Sequence, residues 1–299
     1  MKLGIIGTGG VAQKAYLPLY AQNQDKADFI ISSRSIGKAW QVQEKYNFVG
    51  AVQGVDELLE QKVDAVMIHS KTDTHFQIAK TFLENDVNVF VDKPISQDLD
   101  EIMSLQFSAK QHQKILMAGF NRRFAPFVDE LKKISNKKMI VATKNRANEP
   151  SPTEWVLYDL FIHPLDTAIY LLDEPIIDFD SHIQENNGLL ESAYVILKTP
   201  TTTAIVSMNL MSGANLETFQ VQAPSGTYTV DNLSTLKIDD GESTKLIAPS
   251  NWQTNLTTRG FEPMVISFIA HLGGEDVDLR QENVLVSHQI IRRMLEKRL

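Results

Sequence analysis

The sequence contains no cysteine, which excludes disulfides and thiolate metal centres and points to a reducing compartment. It has no apolar run near the roughly 18 residues that a membrane helix needs. The apolar start, Leu3 to Ile6, is too short for the core of a signal peptide. Basic residues are in deficit: 29 Lys and Arg against 37 Asp and Glu give a formal charge of −8, which disfavours a nucleic-acid backbone or an anionic membrane as partner. There is no internal repeat and no low-complexity stretch. These absences predict a cytoplasmic protein that binds neither nucleic acid nor membrane. What is present suits a globular chain: 43% hydrophobic and 22% charged over 299 residues. At roughly 150 residues per domain, that length allows about two domains.

Residues 1–120 alternate strand and helix. Short apolar strands are expected at 2–7, 28–32, 48–50, 64–69, 88–92 and 114–118, and helices at 11–23, 35–46, 55–61, 74–85 and 98–112. Asp98 followed by Glu101 has the spacing of a capping box. Strands without polar alternation, separated by helices, predict a doubly wound parallel sheet. From 121 to 299 the pattern changes. Period-two strands are expected at 138–146, 190–198, 202–210, 216–223, 226–231 and 234–238, with helices at 124–134, 157–172, 261–272 and 281–297. Turns such as Pro224-Ser225-Gly226 separate the strands, so the second domain is expected to be α+β with a large, mainly antiparallel sheet.

The first strand runs into Gly7-Thr8-Gly9-Gly10-Val11-Ala12, a G-x-G-x-x-A turn. Gly7 permits the tight turn, Gly9 lets a pyrophosphate approach the backbone, and Ala12 keeps the helix close to the strand. The helix N-terminus then offers free N–H groups to phosphate. An acid commonly stands about 20 residues further on to bond the ribose of NAD. Here Ser33 and Arg34 stand at the end of the second strand. A guanidinium there favours a 2′-phosphate, so NADP is expected in preference to NAD, with Lys38 close by.

Two further groups carry chemistry. Lys93 follows the strand ending in Val91-Asp92 and precedes Pro94, at the carboxyl end of a parallel sheet where ligands bind. An ammonium there can hold a substrate oxygen beside a nicotinamide. Asp159 and His163 are four apart and share a helix face, while Phe161, Leu165, Ala168 and Leu172 form an apolar stripe on another. Pro164 requires that helix to start near Asp159 or to kink. Trp155 is expected to pack in the core or wall the pocket. His75 has no paired His or carboxylate spacing nearby, so no metal site is expected.

With these sites in view, the chain resembles the glucose–fructose oxidoreductase/inositol dehydrogenase/rhizopine-catabolism family (Gfo/Idh/MocA). The matching stretches are GTGGVA (7–12), VDAVMIHSKTDTH (63–75), VDKP (91–94), GFNRRF (119–124), Asp159-x-x-x-His163-x-x-Asp166 and FEPMVISFIAHLGG (261–274). Asp92 replaces the usual Glu, and His69-Ser70-Lys71 replaces the usual A-T-P. The resemblance implies reversible hydride transfer between NAD(P) and a sugar, polyol or related small molecule. It implies Lys93, Asp159 and His163 as the catalytic group, with His163 accepting the hydroxyl proton and Lys93 holding the reacting oxygen. It also implies cofactor contacts from Gly7, Thr8, Gly9, Gly10, Val11, Ser33, Arg34, Ser70, His75, Asp92, Lys93 and Asn121, and a homo-oligomer, dimer or tetramer, formed through the open sheet. The competing readings are a non-catalytic dinucleotide sensor on the same fold and a reductase of a non-sugar carbonyl or imine.

Overall fold

A computed structural model describes residues 1–298. The chain forms two compact units. The first comprises Met1–Gly119 together with Phe261–Gln281, and the second comprises Phe120–Gly260 with the chain from Glu282 onward. A division at 120/121 therefore misplaces one segment, because 261–281 belongs with the first unit. Side chains explain this. Phe261 meets Tyr16 edge-on at 5.4 Å, and Phe268 packs on Phe90 at 5.6 Å. The Gln281 amide binds the backbone of Ala118, accepting from its N–H at 2.8 Å.

The first unit holds a parallel sheet of β1 (Lys2–Ile6), β2 (Asp28–Ser33), β3 (Gly50–Gln53), β4 (Ala65–Ile68), β5 (Asn88–Asp92) and β6 (Leu116–Gly119), in the order β3-β2-β1-β4-β5-β6. β1 pairs with β2 on one side and β4 on the other, so the strand order reverses between β1 and β4. A reversal of this kind opens the crevice in which such sheets bind ligands. The central strands are buried on both faces, as their unbroken Val, Ile and Phe content requires. β3 begins at Gly50, later than the expected 48–50, because Phe48 is drawn into the core against Phe29. Asp98 caps helix Leu99–Gln111 by accepting from the N–H of Asp100, whereas the Glu101 carboxylate receives the Ser96 hydroxyl.

The second unit is built on a nine-stranded sheet: β7 (Met139–Ala147), β8 (Ser151–Pro152), β9 (Asp178–Asn186), β10 (Leu189–Lys198), β11 (Thr203–Ser212), β12 (Leu216–Ala223), β13 (Gly226–Asp231), β14 (Thr235–Asp239) and β15 (Thr244–Ile247). β7 and β11 run parallel, and the other neighbours are antiparallel. The alternation of 203–212 is realised: Ala204, Val206, Met208 and Leu210 are buried, while the residues between them are exposed or half-exposed. Three strands are absent from the sequence expectation. β9 has only Phe179 and Ile183 as apolar residues, and every second side chain is exposed, so its composition carries little strand signal. β8 spans two residues, and β15 is exposed throughout.

Every residue of helix Ile162–Leu171 is buried. It packs on β7 and on helix Val284–Lys297. Pro164 is accommodated without a break, because the preceding turn, Leu157–Phe161, is a wide π turn in which the Ile162 N–H reaches the Leu157 carbonyl. A π turn commonly marks a functional position in a helix. Among the described residues, no helix is long and apolar enough to cross a membrane.

Candidate active site

In the first unit, the turn after β1 has two kinds of glycine. Gly7 has φ +114°, and a Cβ there would lie 2.5 Å from the His69 backbone, so β1 and β4 approach closely only because this side chain is missing. A Cβ on Gly9 or Gly10 would meet no protein atom within 4 Å. Packing inside the protein therefore does not explain these two glycines, whereas approach of a ligand to the loop backbone does. The helix that follows carries Val11, which is exposed, and its first N–H groups lie at this turn. Thr8, Gln13, Lys38, Gln41 and Val42 line a cavity of about 210 Å³ between the turn and helix Ile36–Tyr46. Ser33 and Arg34 stand at the end of β2. The Ser33 hydroxyl accepts from the Ser35 N–H, and the exposed Arg34 holds Gln53 through its carbonyl.

Asp92 and Lys93 close β5, and the Lys93–Pro94 peptide is cis. The Asp92 carboxylate accepts the Lys93 N–H at 2.8 Å and the Tyr16 hydroxyl at 3.2 Å. Burial pushes the Asp92 carboxyl above the usual range, against the pull of Lys93 and His75. The shorter acid at this position thus turns towards its own domain. His75 is 1% exposed, and its two ring nitrogens face the carbonyls of Pro94 at 2.9 Å and Ser70 at 3.1 Å. It ties the loop after β4 to the turn after β5. Ser70 is half-buried and shares a hydroxyl hydrogen bond with Thr74. His69 stacks on Tyr16 with ring centroids 3.8 Å apart and bonds Tyr20 at 2.7 Å. Burial lowers its pKa to about 3, so the ring is neutral.

The second unit brings together a group centred on Arg122, which is buried. Its Nε and Nη2 donate to the Glu217 carboxylate at 2.6 and 3.1 Å. Nη1 donates to Asn121 Oδ1 at 3.1 Å and lies 2.9 Å from His163 Nδ1 and 3.4 Å from Nε2. Lys144 Nζ reaches Glu217 at 2.9 Å, and Arg259 lies 3.8 Å from the same carboxylate. Asn121 is buried and donates to the Arg259 carbonyl at 2.7 Å. Asp159 is half-buried on the π turn, one turn before His163. Trp155 is 48% exposed, so it is not a core residue.

The chemistry follows from what arginine can do. A guanidinium only donates, so the ring nitrogen that faces it carries no proton. Nη1 lies within reach of both ring nitrogens of His163, so the guanidinium holds the ring in place. Neighbouring charges act on the rest of the group. The Arg122 and Lys144 charges outweigh burial and hold Glu217 far below the usual carboxylate range. Burial, aided by Arg122, lowers Lys144 to about 8.

Arg122, Glu217 and Lys144 are the residues that sequence reasoning missed. A signal existed. Lys144 falls in the buried register of β7 with Ile140 and Ala142, and Glu217 in that of β12 with Phe219 and Val221. A charge in a buried register marks a site or a buried ion pair. The adjacent Arg123 serves the fold instead: fully buried, it binds Asp166 through two hydrogen bonds of 2.9 and 2.8 Å and lies against Phe120 and Tyr170.

Known proteins resemble this chain in sequence and in fold. Residues 1–120 match the model of an oxidoreductase family with an NAD-binding Rossmann fold, and residues 126–241 match a YceM-like C-terminal domain. The chain is 28% identical to the YceM protein of Salmonella typhimurium, over 97% of this chain and 96% of that one. It is 26% identical to a myo-inositol 2-dehydrogenase of Thermotoga maritima, over 72% of this chain and 66% of that one. Among solved structures, a Gfo/Idh/MocA family oxidoreductase from Vibrio cholerae superposes with a TM-score of 0.91 at 28% identity, covering 99% of both chains.

Proposed function

This chain belongs to the Gfo/Idh/MocA oxidoreductase family, and from that premise we propose that it transfers hydride between NADP(H), in preference to NAD(H), and a sugar, polyol or related hydroxyl or carbonyl compound. The observation that supports the reading is the buried group around His163 of the D-x-x-x-H stretch, where Arg122 Nη1 lies 2.9 Å from Nδ1 and 3.4 Å from Nε2.

The residues present fit a dinucleotide. Gly9 and Gly10 leave the turn approachable, and the following N–H groups suit a pyrophosphate. Thr8 and Lys38 line the neighbouring cavity, and Arg34 at the end of β2 offers a fork for a 2′-phosphate. When bound, the nicotinamide supplies the two-electron donor or acceptor. Lys93 holds the reacting oxygen and supplies its proton in the reductive direction. His163 hydrogen-bonds a substrate oxygen and stabilises the charge that develops there. Asp159 orients the substrate by accepting from a second hydroxyl. The outward face of the nine-stranded sheet, with Tyr194, Met211 and Leu216 exposed, is the surface we assign to self-association.

The test is a spectrophotometric screen of the reduced cofactor against keto-sugars, polyols and small carbonyl compounds, with NADPH and NADH compared by kcat/KM. Turnover with at least one such compound and a lower KM for NADPH are expected. A clear preference for NADH would refute the cofactor assignment, and binding without turnover of any compound would favour a dinucleotide sensor.

A further inference from the structure

The covered face of the nine-stranded sheet is apolar except at one end. There Lys144 and Glu217 are register partners across β7 and β12. Three cations converge on that one carboxylate: Arg122 by two hydrogen bonds, Lys144 at 2.9 Å and Arg259 at 3.8 Å. Arg146, two residues along β7, is close enough for its charge to act on Lys144. Among the described residues, Glu217 is the one carboxylate that these three cations bond, so cations outnumber their direct partner around a largely buried centre. Desolvating cations without full compensation is unfavourable, and such surpluses are kept where a ligand completes the balance. Arg122 already spends four hydrogen bonds on Glu217, Asn121 and His163. The remaining capacity lies with Lys144 and with Arg259, whose side chain is 43% exposed.

We propose that Lys144 and Arg259 bind an anionic substituent, a carboxylate or a phosphate, on the substrate that His163 hydrogen-bonds. This rests on the oxidoreductase reading and names a substrate class within it: acidic sugars or sugar phosphates in place of neutral polyols. Arg122 links the two parts of the site, since one guanidinium touches both the carboxylate that organises the cations and the histidine.

The experiment uses matched substrates. kcat/KM is measured for galactose, galacturonate and galactose 6-phosphate, and for myo-inositol and its 1-phosphate. One anionic member is expected to exceed its neutral twin by roughly 10- to 100-fold, the worth of a hydrogen bond to a charged group. Whether carboxylate or phosphate wins identifies the group. In Lys144→Gln and, separately, in the surface variant Arg259→Gln, that ratio is expected to collapse towards one. Equal or better turnover of the neutral twins, or a ratio unchanged in both variants, overturns the proposal. If no compound is turned over, the oxidoreductase reading is what fails, and the anion site is read by calorimetric titration of inorganic phosphate and citrate. Saturable binding weakened by Arg259→Gln upholds the site, and absence of binding overturns it.

Discussion

Arg122 donates to Nδ1 of His163 at 2.9 Å while Glu217 grips the other edge of its guanidinium. The histidine is thereby packed against a residue that cannot accept a proton. Arg122→Lys keeps the charge and loses the fork. It is expected to lower kcat by about 100-fold, the cost of misplacing a reacting group, with NADPH affinity retained. A wild-type kcat would show that Arg122 serves packing alone.

Glu217→Gln tests the electrostatics of the same group. It leaves Arg122 and Lys144 buried without a counter-charge, at a cost of about 3–5 kcal/mol. At roughly 2–4 °C per kcal/mol, a clear drop in Tm is expected by calorimetry. Because Glu217 is held below its ordinary range, its contribution is present at neutral pH and lost on acidification. The variant should therefore differ most from the wild type at neutral pH and least in acid.

The glycine turn makes opposite predictions at neighbouring positions. Gly7→Ala drives a Cβ into the His69 backbone at a positive φ and should cost more than about 2 kcal/mol of stability. Gly9→Ala meets no protein atom, so Tm should hold while cofactor affinity falls about 10-fold or more. Thermal melts with and without NADPH separate the two. Equal loss of stability in both variants would remove the argument that Gly9 is open for a ligand.

Much of the first unit was legible because buried parallel strands write continuous apolar runs, and because a phosphate turn needs glycine at fixed offsets. The placement of 261–281 was not legible. It depends on Phe261 meeting Tyr16 and on Gln281 bonding Ala118, contacts between residues far apart in sequence. Lys93, Asp159 and His163 are candidates that the sequence motifs name. The contact of Arg122 with His163 was not legible, although the charges at Lys144 and Glu217 in buried registers marked the group. β9 escaped notice because its side chains are polar and half exposed.

Acid stability offers a check on the packing. Burial lowers His288 to about 4 and His69 to about 3, so both are neutral in the folded protein. The unfolded chain binds these protons from about pH 6.5 downwards, so stability is lost as pH falls through that range, by about 1.4 kcal/mol per pH unit for each histidine until its folded pKa is reached. Asp92, raised by burial, acts in the opposite sense. Comparing urea unfolding of wild type and His288→Gln between about pH 6.5 and 4 isolates one histidine. The variant should show the shallower slope, and parallel slopes would mean that His288 does not titrate as its burial requires.

The central claim is that Lys93 and His163 both take part in hydride transfer. It is tested most directly by single-turnover oxidation of NADPH in the wild type, Lys93→Met, His163→Ala and the double variant, using a substrate from the screen. The account predicts a steep loss in each single variant with NADPH still bound, and a double variant little slower than the worse single one, since residues acting as a unit are non-additive. Near-normal turnover in either single variant, or losses that simply multiply in the double variant, would contradict it.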